Sequence, residues 1–500
     1  MIINYQTKTL KKQSNFLVIS SLILSIILCT AVFWIGYTKF LAIETKTGGN
    51  YPTFPDQYTQ IFIGAIYFGI NLLYILWILQ TQQSSIYKTF HFIDFLKPAL
   101  PFLILAFICY PLGNDIYLYL HYGLMGLDGI NPFIHRAGSF VSELYDFLRW
   151  RQTSTYGPVS LLLFGISAAV IPISKLLAIY LFKAFCLAAH LLNAYLVFRI
   201  LQKSPYLEKV TLAYLCNPLI LFEQVGSAHI DVLVCTSFLL FILCFKYKRY
   251  LLGIVTIWFG FLSKTMPILW LPLASAYLIQ QKRWSSIFLA VIFSIEIVAL
   301  LTFTVLPTKE AWRSLLNPGV SDTLIPLGEM IGRDTIGSFH RIVATYLNFS
   351  SSVNFEAKQA IFDKFKLFTY AVFGSYYLRT LIEIPFRRRY SEVNLGLDIG
   401  WVSLILFAVA TPWVMPWYAS ILLPAIAINY EERRFVFTSL AFCLSSTAYY
   451  VLGSTGVIQS WFVVGFPILV LGLEMLLPRA KDTLYEPKFF SDVIPESKQD

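Results

Sequence analysis

Charge is what this sequence has least of. Asp, Glu, Lys and Arg make up 13% of its 500 residues, where soluble domains carry roughly 25%. Hydrophobic residues reach 57% and the mean hydropathy is +0.66. A soluble globular chain is thereby excluded. An outer-membrane barrel is excluded too, because the apolar runs are too long and uniform for alternating strands. The fold class that remains is an all-α polytopic membrane protein. Cysteine is also sparse. All seven (Cys29, Cys109, Cys186, Cys216, Cys235, Cys244 and Cys443) lie inside apolar runs, and none is at metal-ligand spacing from another. They read as small core residues, so neither disulfides, a metal centre nor a cofactor is expected. No small-residue cleavage site follows the first apolar run, about 16–37, although Lys8, Lys11 and Lys12 precede it. It reads as an uncleaved span and not as a signal peptide. Neither an internal repeat nor a soluble domain is visible. Residues 1–478 read as one integral membrane domain, and 479–500 as a polar cytoplasmic tail. The net charge of +10 reflects basic cytoplasmic loops, not a nucleic-acid partner.

Lys and Arg near span ends mark the cytoplasmic side. The apolar runs give fourteen expected spans, at about 16–37, 60–79, 98–112, 176–201, 211–224, 232–245, 251–262, 268–279, 287–306, 365–384, 395–410, 418–428, 435–452 and 461–477. A further run, 157–173, is short for a span. If it lies along the membrane surface, five later basic clusters all fall on the cytoplasmic side: Lys246/Lys248/Arg249, Lys282/Arg283, Arg387/Arg388/Arg389, Arg433/Arg434 and Arg479/Lys481. If it crosses, the map inverts. The agreement of five clusters favours the juxtamembrane placement. Both termini are then cytoplasmic, and two long segments, 113–156 and 307–364, are external.

On that map the unusual polar residues gather on the external rim. Asn114 and Asp115 open "NDIYLYLHYGLMGLDGINPF", which also carries His121 and Asp128. Glu223, His229 and Asp231 lie in "FEQVGSAHID", and Lys264 in "LSKTMP". Another external turn, "TPWVMPWY", carries Trp417. Ionisable groups at membrane depth are costly and usually face a cavity or a partner. Each also has a plainer reading. Asp115 is either a helix-end aspartate or a general base for a hydroxyl. Asp231 is either a helix cap or a site residue. His229 and Asp231 are two apart, not the four that places two metal ligands on one helix face. Lys264 either snorkels or binds a phosphate as a point charge. The basic run "FRRRY" is most simply a topology signal.

The pieces "NDIYLYLHYGLMGLDGINPF", "YGPVSLLLF", "CNPLILFEQVGSAHIDVL", "FLSKTMPILWLPL" and "PWVMPWYASILLP", taken in order, resemble the GT-C superfamily of membrane glycosyltransferases. Within it the similarity is to the polyprenyl-phosphomannose-dependent mannosyltransferases and their uncharacterised relatives. The resemblance implies transfer of a hexose, mannose favoured, from a polyprenyl-phosphate-sugar donor to a glycan or lipid acceptor. Transfer would take place on the non-cytoplasmic face of the cell membrane. It also implies a catalytic carboxylate in the first long external loop, the position of Asp115, and a juxtamembrane helix after it. Two features depart from the pattern. Many members pair two acidic residues where this chain has Asn114 before Asp115, and here the loop follows the third expected span, not the first.

Phosphate departs as a stable anion, so the chemistry needs one base and a few cations, and inversion at the sugar carbon follows. Two flanking carboxylates would instead suggest hydrolysis. The expected substrate-binding set is Asn114, Tyr156, Glu223, His229, Asp231, Lys264, Arg333 and Trp417, with Lys264 and Arg333 as phosphate partners. A transporter is the first rival, but it places its site at the midplane on repeated, broken helices. A flippase, polymerase or ligase of lipid-linked sugars is the nearer rival, and favours Arg-rich or paired-His outer loops.

Overall fold

The computed structural model describes residues 2–45, 57–80, 90–316, 330–332, 334–453 and 456–477. Arg333 and the tail 479–500 lie outside the described residues. The chain is an all-α polytopic membrane protein. Among the described residues there is no strand, only two isolated backbone bridges.

The part that carries the site runs through α1 (Ile2–Glu44), α2 (Gln57–Gln80), α3 (Phe92–Ile108), α4 (Asp115–Leu127), α5 (Pro158–Ala168), α6 (Lys175–Ile200) and α7 (Leu207–Leu215). A π-helix, Ile220–Gly226, leads to α8 (Asp231–Lys246) and α9 (Tyr250–Phe261). Seven helices among the described residues are long and apolar enough to cross a membrane, or eight if the bent pair Ile220–Gly226 and Asp231–Lys246 counts as one. Trp284–Thr304 shows its apolar side chains outward, with Phe303 85% exposed, as a lipid-facing helix does. Arg433–Leu452 is buried along most of its length.

Three local features differ from the run-by-run expectation. The segment after the third apolar run begins as a helix, α4, which is buried on nearly all sides from Ile116 to Gly123 and packs against α5, and only 128–157 is loop with two short 3-10 turns. The run 211–224 is not one helix. Pro218 has no N–H to donate, and the Asn217 side chain accepts the backbone N–H of Ile220 at 3.1 Å, so α7 stops and a new helix starts. That helix is π-wound and meets α8 at 113°, which turns residues 227–230 into a sharp corner. The third difference is in 307–364, which holds helices of its own, Lys309–Leu316 and Phe339–Phe349. Around Ile336 it pairs with the backbone of the 411–418 turn, through Ile336 N–H to Pro412 O at 3.0 Å and Val414 N–H to Ile336 O at 2.8 Å.

Helix α5 has 11 residues, about 16 Å of rise, roughly half of a bilayer's hydrocarbon thickness. All seven cysteines are free.

Candidate active site

One buried cation ties together the two segments that carry the acidic residues. Lys183 of α6 donates to the carbonyls of Ala106 (3.2 Å), Cys109 and Gly226 (2.9 Å). These carbonyls end α3 and the π-helix, where the helix dipole favours a positive charge. Just beyond the first lies Asp115, and just beyond the second lies His229.

Asp115 is the first residue of α4. The preceding Asn114 has both ends of its amide engaged: Oδ1 accepts from Lys39 Nζ at 2.7 Å, and Nδ2 donates to Phe147 O at 3.3 Å. The Asp115 carboxylate faces His229, with Oδ2 to Nδ1 at 3.7 Å. The His229 ring stacks on the Trp417 indole, centroids 3.8 Å apart and 16° between planes. Its other nitrogen, Nε2, is 3.7 Å from Glu223 Oε2. Glu223 is fully buried and points inward, receiving the hydroxyls of Tyr67 at 3.2 Å and Tyr450 at 3.3 Å. Asp231 does not cap α8 with its side chain. Its Oδ1 pairs with Lys264 Nζ at 2.7 Å, and that ammonium lies 4.4 Å from the centre of the Tyr418 ring.

Tyr156 and Lys264 form an isolated antiparallel bridge. The start of α5 is stitched beside it to the end of α9 by Gly157 N–H to Ser263 O at 3.1 Å and Val159 N–H to Leu262 O at 2.9 Å. A Cβ at Gly157 would stand 2.2 Å from the Leu262 carbonyl oxygen, so only glycine allows this approach. The Tyr156 hydroxyl reaches that of Tyr119 at 3.3 Å, and Tyr119 lies 3.5 Å from His229 Nδ1.

The structure therefore brings Asp115, Tyr156, Glu223, His229, Asp231, Lys264 and Trp417 into one cluster. Arg333 lies outside the described residues. Tyr67, Tyr119, Arg149, Tyr418 and Tyr450 belong to the same surroundings and were not anticipated. Tyr119 had a signal, since it is four residues, one helical turn, after Asp115. Tyr67 and Tyr450 had none, because each is more than 150 residues from Glu223. His121 is structural: its ring bonds Ser142 Oγ at 2.7 Å and Ala137 O at 3.0 Å. Asp128 ends α4 on the exposed surface.

The three carboxylates differ. The Asp115 side chain is 18% exposed, whereas those of Glu223 and Asp231 are 0%. Burial pushes the Asp115 carboxyl up to about 6; Lys264 and Arg149 pull against that rise, and Asp231 adds slightly to it. A carboxylate titrating just below neutral pH is mostly ionised at pH 7 and still a competent base. No group of three or more His, Cys, Asp or Glu side chains among the described residues is arranged to hold a metal ion.

Residues 21–280 match the MptA/B family, described as alpha-(1->6)-mannopyranosyltransferase, N-terminal domain. The chain belongs to this family. It is a mannosyltransferase-type GT-C membrane glycosyltransferase. The part matched to the MptA/B family holds Asp115, Tyr156, Glu223, His229, Asp231 and Lys264, whereas Trp417, Tyr418 and Tyr450 come from beyond it. No curated protein and no solved structure matches the chain.

Proposed function

We propose that this glycosyltransferase moves a mannosyl residue from a polyprenyl-phosphate-sugar donor to a hydroxyl of a glycan or lipid acceptor, on the non-cytoplasmic face, with Asp115 as the general base. The observation that carries the reading is the difference among the three carboxylates. Only Asp115 keeps exposure; Glu223 is held by two phenols and Asp231 by Lys264. One accessible base, with no second free carboxylate across from it among the described residues, fits single displacement with inversion. A product with the α-(1→6) linkage of the family's description then requires a β-linked donor and a primary hydroxyl as acceptor.

Asp115 takes the proton of the acceptor hydroxyl as its oxygen attacks C1, and the C1–O bond to phosphate breaks with its electron pair leaving on the phosphate. Lys264 and Arg149 supply positive potential at this rim for the departing anion. Lys264 is 15% exposed and lies 4.4 Å from the centre of the Tyr418 ring, which Trp417 adjoins edge-on, and such rings suit the apolar face of a sugar. The lipid portion of the donor remains in the bilayer throughout. The test is turnover of polyprenyl-phosphate-mannose by Asp115→Asn protein in nanodiscs, with donor binding measured separately. Retained donor binding with lost turnover is expected; wild-type turnover removes Asp115 from the reaction.

A further inference from the structure

Two segments that lie far apart along the chain, 128–157 and the 411–418 turn, touch through a pair of tryptophans. The rings of Trp150 and Trp413 have centroids 5.8 Å apart and planes at 80°. An edge-to-face contact of this kind covers at most one face of one ring, and both residues remain half-exposed. Each is tied to the Asp115 neighbourhood by a short stretch of backbone. Trp150 comes three residues after Phe147, whose carbonyl accepts from Asn114 Nδ2. Trp413 comes four residues before Trp417, whose indole stacks on His229. Three or four residues of chain reach at most roughly 14 Å, a span that a few linked sugars cover. Arg149 holds its guanidinium 5.4 Å from the centre of the Trp150 ring, and its charge also acts on Asp115.

The Trp413 side is built to be rigid. Besides the backbone pairing of Ile336 with Pro412 and Val414, Ser338 Oγ donates to Pro412 O at 2.7 Å. The same hydroxyl accepts from the Arg341 N–H at 3.2 Å and so caps Phe339–Phe349. Gly337 has φ +57°, and a Cβ there would stand 2.9 Å from the Val414 carbonyl oxygen. Glycine is what lets the two backbones run together here. Aromatic rings fixed before a ligand arrives lose little entropy when it binds. A tryptophan that only marked the membrane interface would need to reach the headgroups and nothing more. This one sits in a braced turn that also carries Trp417.

We propose that Trp150 and Trp413 form a subsite for the sugar units behind the reacting one, so that the enzyme extends an existing glycan chain and does not start one. This rests on transfer at Asp115, as proposed above. A pyranose ring has an apolar C–H face that packs on an indole, and hydroxyls around its edge that need hydrogen-bond partners. The indole N–H groups, and the exposed guanidinium groups of Arg149 and Arg151 on either side of Trp150, are donors of the right kind. A prenyl or acyl chain has nothing to offer those donors. The surface therefore suits a glycan and not the tail of a lipid acceptor.

The experiment compares acceptors of increasing length: octyl mannoside, then α-(1→6)-linked mannobiose, mannotriose and mannotetraose, with saturating polyprenyl-phosphate-mannose in nanodiscs. Wild-type kcat/KM should rise on the order of 10-fold from the monosaccharide to the trisaccharide and then level off. Trp413→Ala and Trp150→Ala should each lose most of that gain through the acceptor KM, while kcat and donor KM hold and the monosaccharide is affected far less. Trp413→Tyr should recover part of the gain. The bonds that brace the Trp413 turn are made by backbone atoms of 411–418, so alanine keeps them, and Trp150 gives a second variant on the other segment. A wild type indifferent to acceptor length, or one that prefers octyl mannoside, would overturn the subsite. So would variants that lose all acceptors equally along with Tm, since the pair would then only pin two segments together. Calorimetric titration of mannotetraose into Asp115→Asn protein separates this from the base assignment. Binding that is lost on adding Trp413→Ala supports the subsite whether or not Asp115 is the base, and binding that survives refutes it. Wild-type turnover by Asp115→Asn refutes only the base.

Discussion

Asp115→Asn tests the chemistry and the electrostatics together, because activity and stability are expected to move in opposite directions. Asn matches Asp in size and keeps hydrogen-bonding capacity, but it cannot take a proton. Turnover should fall by on the order of 100-fold or more, the usual effect of losing a general base. The stability side follows from the shift of the carboxyl from 3.8 to about 6 in the folded protein. The folded state binds the proton more tightly than the unfolded one, so the carboxyl costs nothing extra below 3.8. The cost grows as pH rises to about 6 and is constant above that. Two pH units at roughly 1.4 kcal/mol each amount to about 3 kcal/mol at neutral pH, as an upper estimate. Asp115→Asn should therefore have an apparent Tm at pH 7.5 equal to or above that of wild type, and the gap should close at acid pH. The wild-type rate should itself fall about 10-fold between pH 7 and pH 5, as the base protonates. The assay is turnover of polyprenyl-phosphate-mannose in nanodiscs, with donor binding and thermal unfolding on the same samples. A clear loss of Tm that accounts for the lost turnover would make Asp115 structural and refute the reasoning.

Lys264→Met should cost about 3–5 kcal/mol of stability, because it strands the wholly buried Asp231; adding Asp231→Asn should restore most of the stability but not the transfer rate, read by thermal unfolding and turnover of the single and double variants. Gly157→Ala should cost roughly 1–3 kcal/mol and lower turnover by shifting Tyr156 and Lys264, since its methyl meets the Leu262 carbonyl; an unchanged Tm would show that the approach is not rigid. For topology, single cysteines at positions 139 and 352 should label from outside intact cells, and those at 204, 248 and 388 should not. Labelling at both 139 and 204 would mean that the segment containing α5 crosses the membrane, and labelling at 248 would invert the later map.

The amino-acid sequence by itself determined the membrane class, through the shortage of charge, and pointed to the glycosyltransferase family, through five pieces in a fixed order. It also marked which residues collect near the site, because a charged or polar side chain within an apolar run stands out without any knowledge of packing. The helix break before Ile220 was written locally too, in Asn217 and Pro218, although hydropathy alone smooths over it. What each marked residue does was decided by the tertiary structure. Asp231 has the sequence look of a helix cap, but it pairs with Lys264, 33 residues away. Glu223 looks stranded near lipid until Tyr67 and Tyr450 arrive from 156 and 227 residues away. His229 becomes the middle of a line only because the 113° corner aims it between α4 and the π-helix, with Trp417 behind it. Hydropathy and motif spacing are properties of neighbours along the chain. The pairing of buried charges is set by which helices pack together, and that becomes visible only when the bundle is assembled.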